Sequence, residues 1–413
     1  MNILFLSHYF PPEGNAPATR VSNMAKRWVK AGHNVTVITG VPNVPDGIVY
    51  AGYKNRFGIQ EEEYEGIRVL RVWTWIAANK GFLQRSINYY TFMCSAIKAA
   101  KKQKGMDLLI ATSPQFFCGW AGSVAARKLT IPFVLDLRDL WPESIVAVGA
   151  SVNPAIIRQL EKMEGQLYEK ADHIVTVGEG YKAKLLEKDV SEEKTSIVTN
   201  GVDRKYFSPR EPSPEIIEQY ELGGKFVCSY IGTTGMASGL EVVLRAAAIL
   251  KREGRDDIRF MLVGSGAILE DLKSKANTSS LDNVIFTGLQ PKDKVRDIMA
   301  TSNACLIHLA KKPLFETVLP SKIFEATAMR KPLIHGVAGY SAKLVQEANA
   351  GICITPESEN ELCSAIIKLA DDPILCAELG TSGEKNIAEL YNFETLAGNY
   401  LKILESILNG RSK

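Results

Sequence analysis

No CxxC pair occurs among the seven cysteines of this chain, and its five histidines show no metal-ligand spacing. The cysteines, at 94, 118, 228, 305, 353, 363 and 376, are odd in number and scattered through apolar stretches. Neither a disulfide framework nor a zinc site is suggested, and buried thiols in a reducing compartment fit. No DxD-like metal motif is present. Apolar runs are short: "MNILFLSHYF" has no basic leader, and charges interrupt every later stretch before about 18 residues accumulate. The expectation is a cytoplasmic protein without a transmembrane span. Excess charge is missing too, with Lys+Arg 49 against Asp+Glu 46 and a net +3. That balance excludes a dedicated nucleic-acid binder but leaves room for a local basic patch.

What is present is length and alternation. A chain of 413 residues exceeds the size at which one core keeps growing, so two domains are expected. β-Branched or leucine-rich runs alternate with segments of helical period, the pattern of parallel α/β layers. "NILFLS", "NVTVITG", "DLLIATS", "PFVLDLRD", "HIVTVG" and "SIVTNGVD" read as strands of a first series. "KFVCSYIGTTG", "RFMLVGSG", "NVIFTG", "ACLIHL", "KPLIHG" and "GICIT" read as a second. Between them "SPREPSPE" (208–215) has the composition of a linker. The fold class is therefore α/β with two doubly wound, Rossmann-like domains, over 1–205 and 206–390, and a closing helix over 391–413 that packs back toward the first. The ligand is expected in a cleft along the strand C-termini.

The motifs gather at those termini. In "YIGTTGMASGL" (230–240), Gly232 and Gly235 follow a strand and precede a helix, so bare backbone can approach a diphosphate. A tight strand-to-helix turn is the plainer reading, with Gly239 adding flexibility. "VGSGAIL" (263–269) has Leu269 at the third glycine position of a dinucleotide fingerprint, so Gly264 and Gly266 suit a base or ribose contact better than NAD. "LPSKIFEATAMRKP" (319–332) reads as a helix from Pro320 to Arg330. There Lys322 opposes the macrodipole by about 0.3–1 kcal/mol unless an anion binds. Glu325, three residues on, could take two hydrogen bonds from ribose hydroxyls, or simply pair with Lys322.

In the first half, "DLRDLWPES" (136–144) ends a strand with Asp136, Arg138, Asp139 and Glu143. This is either a functional cluster or a structural ion network. His8 and His308 sit at strand ends and are weaker candidates. "GFLQRSINYYTFMCSAIKAAKKQKG" (81–105) joins aromatics to Arg85, Lys98, Lys101, Lys102 and Lys104, which suits a core helix with a solvated basic end or a membrane-surface contact. The proline-rich opening loop "HYFPPEGNAPATR" (8–20) is either a stiff connector or a preorganised acceptor contact.

Taken together, "HYFPPEGNAPATR", "GHNVTVITG", "LRDLWPES", "IVTNGVD", "YIGTTG", "VGSG" and "LPSKIFEATAMRKPLI" resemble the family 4 glycosyltransferases of GT-B fold, in order along nearly the whole chain. The L-fucosamine transferase-like branch of O-antigen and exopolysaccharide assembly is the nearest in kind. The resemblance implies a retaining transferase that takes a UDP-sugar, such as an N-acetylated deoxy sugar, to a polyprenyl-diphosphate-linked glycan at the inner membrane face. It implies no metal and no cofactor beyond the UDP-sugar substrate. A UDP-sugar 2-epimerase of similar fold and a non-catalytic glycan-binding subunit are the alternatives.

Residue by residue, the resemblance places Gly232, Thr233, Thr234, Gly235, Gly264, Gly266, Leu289, Gln290, Thr317, Ser321, Lys322 and Glu325 around the donor. Thr317 stands where the family's paired-Glu motif has its first Glu, with Glu316 one position off, and Thr233 and Ser238 stand where relatives carry cations. Lys322 and the 233–235 backbone then have to stabilise the diphosphate. Asp139 is expected to orient or deprotonate the acceptor, which Glu13, Gly14, Asn15, Arg20 and Arg138 would contact.

Overall fold

Among the described residues fourteen strands form two sheets. β1 (Asn2–Leu6), β2 (Asn34–Gly40), β3 (Ile59–Tyr64), β4 (Ile67–Val72), β5 (Leu108–Thr112), β6 (Phe133–Leu137), β7 (His173–Thr176) and β8 (Thr195–Ile197) make the first. Its order is β3-β4-β2-β1-β5-β6-β7-β8, parallel except for the antiparallel β3–β4 pair at one edge. β9 (Phe226–Ile231), β10 (Ile258–Val263), β11 (Val284–Gly288), β12 (Ala304–His308), β13 (Leu333–Gly336) and β14 (Gly351–Cys353) make the second. That sheet is wholly parallel, in the order β11-β10-β9-β12-β13-β14. The computed structural model describes residues 1–44, 47–76, 82–113, 116–144 and 153–411.

Central strands such as β1 and β5 are buried almost throughout, as their unbroken apolar runs require. The β3–β4 hairpin escapes the sequence reading because "IQEEEY" is polar and half exposed. Its glutamates are held from the neighbouring strand, Arg68 pairing with Glu61 and Arg71 with Glu62. Helices cover both faces of each sheet. Trp28, on the helix Ala16–Lys30, is fully buried between β1 and the helix Phe393–Arg411, donating to the Ala397 carbonyl and meeting Tyr400 edge-on.

Two compact units result: Met1–Thr199 with Phe393–Lys413, and Asn200–Asn392. The changeovers lie in adjacent strands of chain, since Val202 N–H donates to the Tyr391 carbonyl and Val202 bridges Asn392. The proline-rich stretch at 208–215 is therefore not the connector. Arg210 pairs with Asp297, the Ser213 amide donates to Thr301, and Ser213 caps the helix Pro214–Gln219, all inside the second unit. Of the expected closing helix, residues 412 and 413 lie outside the described residues.

In each sheet the strand order reverses direction at one point, β1 against β5 in the first and β9 against β12 in the second. Ligands of open α/β sheets bind beyond the strand C-termini at such points. The loops leaving β1, β5, β9 and β12 are therefore the places to look.

Candidate functional site

In the first unit, the loops after β1 and β6 and the helix Ala16–Lys30 carry the residues named for an acceptor, and Glu13, Asn15 and Arg20 among them are committed to partners within the unit. Arg20 is 2% exposed, donates to the Val198 and Thr199 carbonyls, and pairs with Asp136 at 3.3 Å. Thr112 holds the other Asp136 oxygen at 3.1 Å. Arg20 is a core cation that balances Asp136, with no exposed face for a ligand.

Glu13 is buried, and its carboxylate accepts from the Asn43 and Val44 amides at 3.0 and 3.2 Å. Burial raises its proton affinity, and those amides oppose the rise. Asn15 is a helix cap, its side chain accepting from the Ala18 amide at 3.0 Å. A Cβ added at Gly14 would meet nothing within 4 Å, so no close approach demands glycine there. The opening loop is thus built largely from its own internal contacts.

Asp139 differs. Burial, with the Glu143 charge adding to it, pushes its carboxyl up to about 6, against hydrogen bonds from Ser144 and the Leu140 amide and the Arg138 charge. Arg138 is itself pushed down to about 10 by burial and by Arg20, with Asp136, Tyr181 and Asp139 opposing. Lys188 bridges Glu143 and Glu164 nearby. The cluster is both a buried ion network and the setting of one carboxylate that changes charge near neutrality.

In the second unit, the loop after β9 lies directly on the turn after β10. A Cβ at Gly264, whose φ is +137°, would stand 1.9 Å from the Gly232 carbonyl oxygen, and one at Gly266 would stand 2.3 Å from that of Thr234. These glycines are required by the approach of two loops. The same contact spends amides: Gly232 N–H donates to Val263 and Thr234 N–H to Ser265. Thr234 is fully buried. Of the three amides at 233–235, those of Thr233 and Gly235 make no such bond among the described residues, so the expected three-amide cradle reduces to two.

Leu289 follows β11 and is 68% exposed, while the Gln290 amide closes its own turn onto the Thr287 carbonyl at 2.6 Å. Thr317 turns inward, its hydroxyl donating to the Leu314 carbonyl at 2.7 Å. Glu316 is exposed instead and lines a cavity of about 400 Å³ with Lys311, Lys312, Phe315 and Gly339. The Thr317 hydroxyl is thus committed within its own turn, whereas the neighbouring Glu316 carboxylate faces open space.

The motif helix is shorter than its sequence suggests, Lys322–Ala328, with Ser321 at its start making no side-chain cap. Arg330 has a positive φ of 54° and pairs with Glu384, and Lys331 donates to the Ala300 carbonyl. Both cations are thus committed to partners elsewhere in the second unit. Lys322 Nζ lies 2.7 Å from Glu325 Oε2, the pair being 35% and 17% exposed. The intrahelical pair is formed, and both groups remain within reach of solvent.

His308, one of the weaker sequence candidates, closes β12 and is buried against the Ser238 carbonyl and the Glu357 amide, neighbours 70 and 49 residues away in the chain. Among the described residues no group of three or more His, Cys, Asp or Glu could hold a metal ion.

The chain matches the models of a glycosyl transferase 4-like domain over residues 15–201 and of glycosyl transferases group 1 over 212–386. It is 25% identical over 249 residues to the probable glycosyltransferase WbjE of Pseudomonas aeruginosa, covering 60% of this chain and 61% of that protein. It is 29% identical over 195 residues to the alpha-D-kanosaminyltransferase of Streptomyces kanamyceticus, covering 46% and 49%. Both matches span less than two thirds of the relative's length.

Among solved structures, sucrose-phosphate synthase from Thermosynechococcus elongatus superposes with a TM-score of 0.76 at 18% identity over 99% of each chain. Anabaena HepE in complex with UDP-glucose does so with 0.71 at 17% identity, over 98% of this chain and 100% of that one. At those identities the likeness is one of fold. Two parallel Rossmann-like sheets, with the two domain types in sequence, make this chain a member of the GT-B glycosyltransferase superfamily, a 4-like domain followed by a group 1 domain.

Proposed function

We propose that the protein is a retaining glycosyltransferase that moves a sugar from a UDP-sugar to a glycan acceptor during surface-polysaccharide assembly. The observation that carries this reading is the Lys322–Glu325 pair, next in sequence to the loop that carries Glu316 and joined with two uncommitted loop amides in one unit. Departure of UDP develops negative charge, which one cation and preorganised N–H groups can stabilise. Lys322 exchanges Glu325 for the diphosphate. The released Glu325 carboxylate accepts hydrogen bonds from ribose hydroxyls, Leu289 packs on the base, and Glu316 faces the sugar. In the other unit Asp139, which loses its proton near neutrality, orients or deprotonates the acceptor hydroxyl.

A lipid-linked acceptor, with an N-acetylated deoxy sugar as donor, is part of the same proposal. It draws support from the helix Phe82–Ala100, which exposes Tyr90 and Ile87 at one end and Lys98 at the other while burying Phe92, Ala96 and Ala99. No helix among the described residues is long and apolar enough to cross a membrane, so the contact would be peripheral. Residue 81 of that stretch lies outside the described residues.

A thermal-shift panel of nucleotide sugars, followed by UDP-release assays with glycolipid acceptors, tests the reading. Stabilisation by at least one UDP-sugar and acceptor-dependent UDP release are expected. No stabilisation by any nucleotide sugar would end it. Flotation with anionic liposomes tests the peripheral contact, and failure to float with or without acceptor lipid removes that part.

A further inference from the structure

The glycine-rich loop after β9 is held by a side chain that the mechanism above does not use. His308 closes β12 and is 2% exposed. Its Nδ1 lies 2.8 Å from the Ser238 carbonyl oxygen, and its Nε2 lies 2.9 Å from the Glu357 amide nitrogen. A carbonyl can only accept and an amide N–H only donate, so both bonds exist together in one form of the ring: neutral, with the proton on Nδ1.

The surrounding backbone is shaped to that ring. A Cβ at Gly336 would stand 2.4 Å from His308 Cδ2, and one at Gly239, which has φ +61°, would stand 3.0 Å from Cε1. Gly239 thus makes room for an imidazole and does not serve loop mobility. On the far side Glu357 is fixed in turn, its carbonyl accepting from Arg245 at 3.0 Å and its carboxylate from the Lys311 amide at 2.8 Å. Three more bonds hold the same loop: Tyr230 hydroxyl to Thr233 carbonyl at 3.0 Å, Ser238 hydroxyl to Gly235 carbonyl at 2.5 Å, and Ala310 amide to Ala237 carbonyl at 2.9 Å. Every one of these ends on a loop carbonyl, which leaves the Thr233 and Gly235 amides uncommitted.

We infer that His308 is a positioning residue for the donor: its neutral ring clamps the 232–239 loop to the 355–357 loop and so presents the Thr233 and Gly235 amides to a diphosphate. This rests on the donor-site reading given above. Protonation would turn Nε2 into a second donor against the Glu357 N–H and break the clamp. Burial and Arg245 disfavour that charge, the Ser238 carbonyl and Glu357 favour it, and His335 is the remaining titratable neighbour.

Three measurements on the full chain test the inference. In the wild type, imidazole ¹⁵N shifts, assigned by loss of signal in His308→Asn, should show a neutral ring protonated on Nδ1 at pH 7.5; an Nε2-protonated or charged ring overturns the inference. In His308→Phe, hydrogen exchange of amides 232–239 and of Glu357 should quicken at least tenfold while other amides of the unit hold their rates. UDP-glucose affinity should fall at least tenfold, and His308→Asn, which can keep the bond to Ser238, should recover part of both. Unchanged exchange at those two segments overturns the clamp, and faster exchange with unchanged affinity overturns the positioning role. Should His308→Phe not fold, the same comparison is made with His308→Gln. A wild type that binds neither UDP nor UDP-glucose, yet shows the expected tautomer and exchange, fails the donor-site reading and not the clamp.

Discussion

The two units put their candidate residues at the same topological place and surround them with opposite materials. Beyond β1 and β6 the first unit gathers Arg20, Asp136, Arg138, Asp139, Glu143, Glu164 and Lys188, charged groups that largely satisfy one another. Beyond β9 and β10 the second unit uses glycines and backbone, with Lys322 and Glu325, 35% and 17% exposed, as its partly exposed charges. A buried charge that loses its partner keeps its desolvation cost, whereas a half-exposed pair returns its partners to water. Changes in the first unit should therefore couple stability to activity, and changes in the second should separate them.

The largest expected effect is on the first side of that contrast. Arg20→Met strands Asp136, 1% exposed, and should cost about 3–5 kcal/mol of unfolding free energy in urea denaturation. A loss below about 1 kcal/mol would erase the distinction between the units.

Lys322→Ala is the counterpart. Turnover should fall by about 10²–10³, the usual cost of one transition-state donor, while stability moves by no more than about 0.5–1 kcal/mol. Loss of stability comparable to that of Arg20→Met would place Lys322 in the fold and not in the chemistry.

Asp139 sharpens the comparison because it belongs to both categories. As a base it must be ionised, so kcat/KM should rise with pH through about 6, and Asp139→Asn should abolish that limb and lower kcat by about 10²–10⁴. The stability sign is opposite. A carboxyl whose folded pKa lies above the usual value of about 4 contributes most below that pH and loses its contribution as pH rises through about 6. Asp139→Asn should thus be more stable than the wild type at pH 8 in parallel denaturation curves. A pH-independent wild-type rate would reduce the residue to the ion network.

Gly14→Ala marks the small end. With no neighbour within 4 Å and no positive φ, it should change stability by less than about 0.5 kcal/mol and leave the acceptor KM alone. A raised KM would return the opening loop to the acceptor site.

Much of this was legible in the residues. Unbroken apolar runs such as "NILFL" and "LLIAT" announced buried parallel strands, and their alternation with helical period announced the doubly wound units. The β3–β4 hairpin was not legible, because an edge strand that pairs through Arg68 and Arg71 looks polar by itself. The linker was misplaced for a related reason. "SPREPSPE" has the composition of a free segment, but Ser213 and Arg210 find partners about 90 residues away in sequence, Thr301 and Asp297.

The candidate site divides in the same way. A charged cluster at a strand end picked out Asp139, and a cation with a carboxylate three residues on at a helix start picked out Lys322 and Glu325, all of them local features. They could not tell Asn15 the helix cap from Asn15 the ligand contact, nor Gly264 facing a phosphate from Gly264 facing Gly232.

The sequence by itself determined the architecture, two α/β units of parallel strands and covering helices, because periodicity and strand burial are properties of short windows. Only the tertiary structure decided which of those polar groups are still uncommitted. Hydrogen-bond capacity is spent between residues far apart in the chain, as Arg20 spends it on Thr199 and His308 on Ser238 and Glu357.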